Sequence, residues 1–228
     1  MSNITQNLDT LKRNIATLAA RYDRNPGEIS LLAVSKAHPT DAISKALGAG
    51  QHEFGENYLQ EALHKIRELE AAPAIWHFIG RLQSNKAQAI ARHFAWIQSL
   101  DRESVIRKLS RFRSDDDPPL NVCIQVNVDN EPQKGGVAMP EVEEFAAIIA
   151  QLPRVKLRGL MAVPKPVADL AGQRRAFYKL RCLFERLTKL HEEFDTLSMG
   201  MSADIEAAIA EGSTMLRIGT AIFGSRNR

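Results

Sequence analysis

Cysteine is scarce: Cys123 and Cys182 are the only two in 228 residues, and no Cys-x-x-Cys arrangement joins them. Neither a disulfide framework nor a zinc site follows from such a pair, and no metal is expected. One lies in an apolar strand-like run and the other in a helical run, so both read as buried structural thiols. No apolar run approaches membrane-spanning length. The start, Met1-Ser2-Asn3-Ile4-Thr5, has neither the basic nor the apolar region of a secretory signal. An excess of one charge is also lacking. Lys plus Arg is 30 and Asp plus Glu is 27, so the net +3 projects no strong field toward nucleic acid or a membrane surface. The expectation is a reduced, cytoplasmic protein. No solenoid repeat is visible, and no Gly-x-Gly-x-x-Gly follows the first strand-like segment, which weighs against an open dinucleotide-binding sheet.

What is present is ordinary globular composition, 44% apolar and 25% charged. Residues 3–22 carry Ile4, Leu8, Leu11, Ile15, Leu18 and Ala19 at helical spacing. Strand-like runs then recur at 31–36, 53–56, 75–80, 94–100, 120–128, 155–161, 196–199 and 215–218, and a helical pattern follows each until the last. Asn57 and Ser202 stand where helix caps are expected, and residues 129–136 look like a mobile loop. Strict strand-then-helix alternation implies parallel strands with helical crossovers. About eight such units after one extra N-terminal helix predict a single (β/α)₈ TIM barrel spanning 1–228, the runner-up being a flavodoxin-like or Rossmann sheet.

The run Leu31-Leu32-Ala33-Val34-Ser35-Lys36 ends in a lysine. On a strand Leu32, Val34 and Lys36 share a face. The lysine either snorkels to solvent past the strand end or is an amine kept where it can lose its proton and act as a nucleophile. A barrel favours the second reading, because its active site is built at the C-terminal strand ends and Lys36 stands at one. Asn57, His77, Gly80, Ser202 and the Arg217-Ile218-Gly219-Thr220 segment fall at or near other strand ends.

Two of those segments suit a phosphate. Ser202 opens a helical run, and Gly219-Thr220 offers backbone N–H groups without side-chain bulk, plus a hydroxyl. Arg217, flanked by Leu216 and Ile218, faces opposite to them and needs a specific acceptor inside a barrel. A lysine, a phosphate cradle and an interior arginine together suggest pyridoxal phosphate, with the arginine facing the ring nitrogen.

These residues sit in segments that resemble the YggS/PROSC-type pyridoxal phosphate homeostasis proteins over nearly the whole chain. The matching segments are Leu32–Lys36, Phe54-Gly55-Glu56-Asn57-Tyr58, Trp76–Gly80 with Leu82–Lys86, Arg158–Met161, Ser198–Ser202 and Arg217–Gly224. The resemblance implies a barrel like the N-terminal one of alanine racemase and ornithine decarboxylase, the fold type III class of pyridoxal phosphate proteins. It implies the cofactor as a Schiff base on Lys36, its phosphate held by Ser202, Gly219 and Thr220, Arg217 at the pyridine nitrogen, and Asn57 and His77 nearby. One position departs from the family: Ala203 follows Ser202, with Asp204 next, where an acidic residue directly after the serine is expected.

The resemblance implies a protein that buffers or delivers pyridoxal phosphate inside the cell without established catalysis, with apo forms of pyridoxal phosphate enzymes as recipients. A monomer is expected. A racemase or decarboxylase-like enzyme of fold type III is the alternative. The chain stops at Arg228, soon after the last strand, so an appended β-domain of the kind that serves barrel racemases is not expected. A barrel aldolase using Lys36 without a cofactor would leave the phosphate cradle and Arg217 unexplained.

Overall fold

The computed structural model describes residues 3–131 and 133–225. Pro132 of the expected mobile loop, Met1-Ser2 and the last residues of the basic tail lie outside them. Among the described residues nine strands form one sheet: β1 (Ser30–Val34), β2 (Glu53–Glu56), β3 (Ile75–Phe78), β4 (Trp96–Leu100), β5 (Leu120–Asn127), β6 (Val137–Ala138), β7 (Val155–Met161), β8 (Thr196–Ser198) and β9 (Met215–Ile218). Their order is β4-β3-β2-β1-β9-β8-β7-β5-β6, and a further β4–β5 pairing closes eight of them into a barrel. Every pairing in the barrel is parallel. The two-residue β6 hangs on the end of β5, at the foot of the expected loop, and the periodicity gave no sign of it.

Helices α1 (Ile4–Arg21), α2 (Thr40–Gly48), α3 (Leu59–Glu68), α4 (Ala87–His93), α5 (Glu103–Phe112), α6 (Val142–Ala150), α7 (Leu170–Leu187), α8 (Ile205–Ala210) and α9 (Thr220–Phe223) complete the chain. The extra helix is α1. It buries all six residues of its expected stripe and packs against α2, α8 and α9. The Asn7 amide donates to Ile222 O at 2.8 Å, and Arg24 just beyond the helix donates to Ser213 O at 2.7 Å. The start of the chain is thus fastened to its last β/α unit.

Alternation along each strand sorts the interior into two zones. Side chains such as Ala33, Phe54, Trp76, Phe78, Ile97, Leu160, Leu216 and Ile218 point outward into one continuous core shared with the helices. The zone inside the barrel is smaller and more polar, with Trp96, Cys123 and Met161 as a separate apolar cluster beside buried His77, Gln98, Ser198 and Arg217. Of the two cysteines only Cys123 is buried. Cys182 is exposed, because α7 turns Phe177, Leu180, Leu183 and Leu187 inward and leaves position 182 on the opposite face.

Candidate functional site

Six residues singled out in the sequence meet at one cavity of about 390 Å³: Lys36, Asn57, Ser202, Arg217, Gly219 and Thr220. They come from the C-terminal ends of β1, β2, β8 and β9 and the turns that follow, the face on which this fold builds its sites. Val34, Ile79, Met161 and Val163 supply an apolar wall. A volume of this size, apolar with a few convergent polar groups, suits a small cofactor.

β1 ends at Val34, so Lys36 lies in the turn beyond it rather than in the strand itself. The next residue, Ala37, has φ +62°, a left-handed conformation that a non-glycine residue keeps only when its surroundings enforce it. His38 stacks on Phe223 with centroids 5.0 Å apart, which ties this turn to α9.

Asn57 does not cap α3. The helix starts at Leu59 after Tyr58, with no side-chain cap bond. The Asn57 side-chain oxygen is instead buried with no protein partner, a costly state for an amide unless a ligand meets it. The backbone of Asn57 is pressed against Gly80, where an added Cβ would lie 1.9 Å from Asn57 O. Only glycine permits that approach.

Ser202 likewise does not cap its helix. α8 starts at Ile205 after Asp204, leaving Ser202 and Ala203 in the preceding turn. Asp204 fixes that turn by accepting from Met201 N–H at 2.5 Å. The acidic residue one place late in the family pattern therefore holds the loop that carries Ser202. Also lining the cavity, α9 begins at Thr220, directly after Gly219. The first N–H groups of any helix lack intrahelical partners and favour an anion. A Cβ on Gly219 would come within 3.2 Å of Val34 O, a tight contact that glycine avoids.

Arg217 is 5% exposed, at the floor of the cavity. Its Nη1 donates to Ser198 Oγ at 2.7 Å and its Nη2 to Ala162 O at 2.8 Å. Burial pulls the guanidinium down to about 10, against the opposing pull of Asp204, and it stays charged at neutral pH. Ser198 in turn donates to Gln98 Oε1 at 2.6 Å, and Gln98 Nε2 stands 3.0 Å from His77 Nδ1. Because the amide Nε2 can only donate, His77 Nδ1 must accept and its proton belongs on Nε2. That Nε2 has no protein partner.

His77, expected beside the cofactor, is not among the residues that line the cavity. It lies deeper in the barrel, fully buried and stacked on Trp96 at 5.2 Å with the rings 6° from parallel. Burial drives its pKa down to about 3, so it is neutral. Its position follows from the register: His77 pairs with Gly55 and Trp96 within the barrel wall, below the strand ends. Gln98 and Ser198 are the support that the sequence reading passed over. No alternation in Trp96–Leu100 flagged Gln98, because both faces of that strand are buried.

No group of His, Cys, Asp and Glu able to hold a metal ion occurs among the described residues. The residues present do fit pyridoxal phosphate. An amine, a buried cation, an orphaned buried amide oxygen and a glycine-lined helix start face one cavity of suitable size.

The alanine racemase N-terminal domain family matches residues 6–227 of the chain. The pyridoxal phosphate homeostasis protein of Escherichia coli K12 is 48% identical over 230 residues, covering 100% of this chain and 98% of the relative. That of Pseudomonas aeruginosa PAO1 is 50% identical over 227 residues, covering 100% and 97%. Among solved structures, PipY of Synechococcus elongatus PCC7942 with PLP bound is 36% identical at a TM-score of 0.77, covering 92% of this chain and 100% of that one.

Proposed function

Because the chain belongs to the pyridoxal phosphate homeostasis proteins of the alanine racemase N-terminal domain family, we propose that its cavity holds pyridoxal 5′-phosphate and that the protein carries the cofactor rather than turning over substrate with it. The observation that carries this reading is the meeting of Lys36 and Arg217 in one cavity that is also lined by the helix start beside Gly219. When bound there, the cofactor supplies an aldehyde on which amines exchange.

In this reading the Lys36 amine takes the aldehyde. Ser202, Gly219 and Thr220 hold the phosphate through a hydroxyl pair and backbone N–H groups. Asn57 accepts a hydrogen bond from the ligand with its otherwise unpartnered side-chain oxygen. Arg217 faces the ring nitrogen, and a cation there opposes ring protonation and weakens the ring as an electron sink. The names of the relatives, homeostasis proteins rather than enzymes, support the carrier role. Apo enzymes that need the cofactor are its proposed recipients, and a cytoplasmic monomer is the proposed form. No helix among the described residues is long and apolar enough to cross a membrane.

Transfer to an apo enzyme, compared between wild type and Lys36→Ala, tests this. Wild type loaded with the cofactor shows a visible absorption band and restores activity to the recipient; Lys36→Ala loses the band. A band that persists in Lys36→Ala overturns the lysine assignment. Amino-acid racemisation or decarboxylation at about 1–10³ s⁻¹ overturns the carrier role in favour of a fold type III enzyme.

A further inference from the structure

Behind the turn that carries Lys36 lies a charge cluster that the cavity does not use. The Lys65 side chain is 4% exposed, Glu56 is fully buried and Glu61 is 29% exposed. None of the three lines the cavity. Lys65 Nζ donates to Glu56 Oε1 at 2.7 Å, to Glu61 Oε1 at 2.6 Å and to Ser35 O at 2.8 Å. Three acceptors saturate the three donors of an ammonium.

What the cluster grips is specific. Ser35 O belongs to the peptide unit before the Lys36 Cα, and Ala37 N–H to the unit after it. Lys65 holds the first, and Glu61 Oε1 accepts from Ala37 N at 2.6 Å and holds the second. The Ser35 hydroxyl adds a bond to Glu56 Oε1 at 2.6 Å. Peptide units are planar, so φ and ψ are the only soft backbone angles at a residue. Holding both flanking units fixes both angles of Lys36 and therefore the direction of its Cα–Cβ bond. The left-handed Ala37 is kept in place by the same Glu61 contact.

We propose that Glu61 and Lys65, with Glu56 behind them, form a positioning clamp that directs the Lys36 amine at the cofactor aldehyde. The inference rests on the carrier reading above and deepens it. The clamp touches neither cofactor nor cavity; it acts through the lysine backbone. Its loss slows capture of the aldehyde and leaves the phosphate and ring contacts intact, because Ser202, Arg217, Gly219 and Thr220 belong to other strands.

The test uses Glu61→Ala, which removes the acceptor for Ala37 N–H at a partly exposed position, and Glu61→Gln, which restores an acceptor. Capture of pyridoxal phosphate on Lys36 is trapped with borohydride over time and located by peptide mass. In parallel, the affinity for 4-deoxypyridoxine 5′-phosphate, which lacks the aldehyde, is measured on the same proteins after circular dichroism confirms folding. The expected result is capture slowed about ten- to a hundredfold in Glu61→Ala, with analogue affinity unchanged and with recovery in Glu61→Gln. Unchanged capture in Glu61→Ala overturns the clamp. So does an equal fall in capture and analogue affinity, which marks a purely structural role, and so does a failure to fold. Absence of capture on Lys36 in the wild type overturns the carrier reading itself, and the clamp with it.

Discussion

Lys36 and Arg217 reach the same cavity from the paired strands β1 and β9, yet one is secured by an ionic cluster and the other by neutral acceptors. Around the Lys36 turn, two carboxylates and an ammonium lock together, and two further hydrogen bonds from the cluster hold backbone groups. Around Arg217 the acceptors are a serine hydroxyl and a carbonyl, relayed through Gln98 to a neutral histidine. Asp204 acts on the guanidinium only through space. The difference matters chemically. An arginine tied to a carboxylate has its charge offset and two of its N–H donors occupied. Arg217 keeps its charge and uses two of five donors in these bonds, so the rest remain for a ligand. Beside Lys36 the cluster holds the backbone on both sides of the residue.

Removing a charge from the ionic side has the largest expected effect. Lys65→Met leaves buried Glu56 without its cation, and burial already pushes that carboxyl upward against the pull of Lys65. The expected loss is about 3–5 kcal/mol in urea unfolding. A Glu56→Gln, Lys65→Met double variant recovers most of it, because the uncompensated charge is gone. A double variant as unstable as Lys65→Met would show that packing of the lysine stem, not charge, dominates.

The neutral side responds to acid. Burial holds His77 down to about 3 from 6.5, so it gains a proton near pH 6.5 only when the chain unfolds. Between those values the unfolded state binds more protons. Stability is therefore fully present above pH 6.5 and falls as pH drops toward 3. The loss from this group is about 2 kcal/mol between pH 7.5 and 5. In His77→Asn, whose amide oxygen can still accept from Gln98, the slope over that range flattens by this amount. Equal slopes in wild type and variant would place the acid sensitivity elsewhere.

Much of the barrel was legible because its strands are short apolar runs broken by polar turns, and the expected limits of all eight fall within about two residues of those found. The lysine and the arginine stood out for one reason: each is a long cation in or beside an apolar strand. The supports did not stand out. Lys65 and Glu61 are four apart on α3, a spacing common to solvated surface pairs, so nothing in it singles them out. Only the fold brings Glu56 and Ser35 beneath them. Gln98 was hidden because both faces of β4 are buried, which removes the alternation that would flag a polar residue. The caps assigned to Asn57 and Ser202 failed because the helices start two and three residues later, after Tyr58 and Asp204.

A smaller loss is expected from the relay itself. Ser198→Ala takes an acceptor from Arg217 and a donor from Gln98, both fully or nearly fully buried. The expected cost is about 1–2 kcal/mol by urea unfolding, with weaker binding of the aldehyde-free analogue because the guanidinium is no longer aimed. Unchanged analogue affinity would show that Ala162 O alone orients Arg217.

The smallest effect belongs to the edge of the ionic cluster. Glu61→Gln removes one charge from a partly exposed position and keeps an oxygen able to accept from Ala37 N–H. Lys65 retains Glu56 as its buried counter-charge. The expected change is below about 1 kcal/mol, as for other partly exposed pairs. The contrast with Lys65→Met then separates two jobs within one cluster. Glu56 and Lys65 carry the stability, since both are buried and each needs the other. Glu61 carries the geometry, and its hydrogen bond to Ala37 does not require a charge. A Glu61→Gln protein destabilised as severely as Lys65→Met would show that the three charges act as one unit, and that the grip on the Lys36 turn cannot be separated from the stability of the fold.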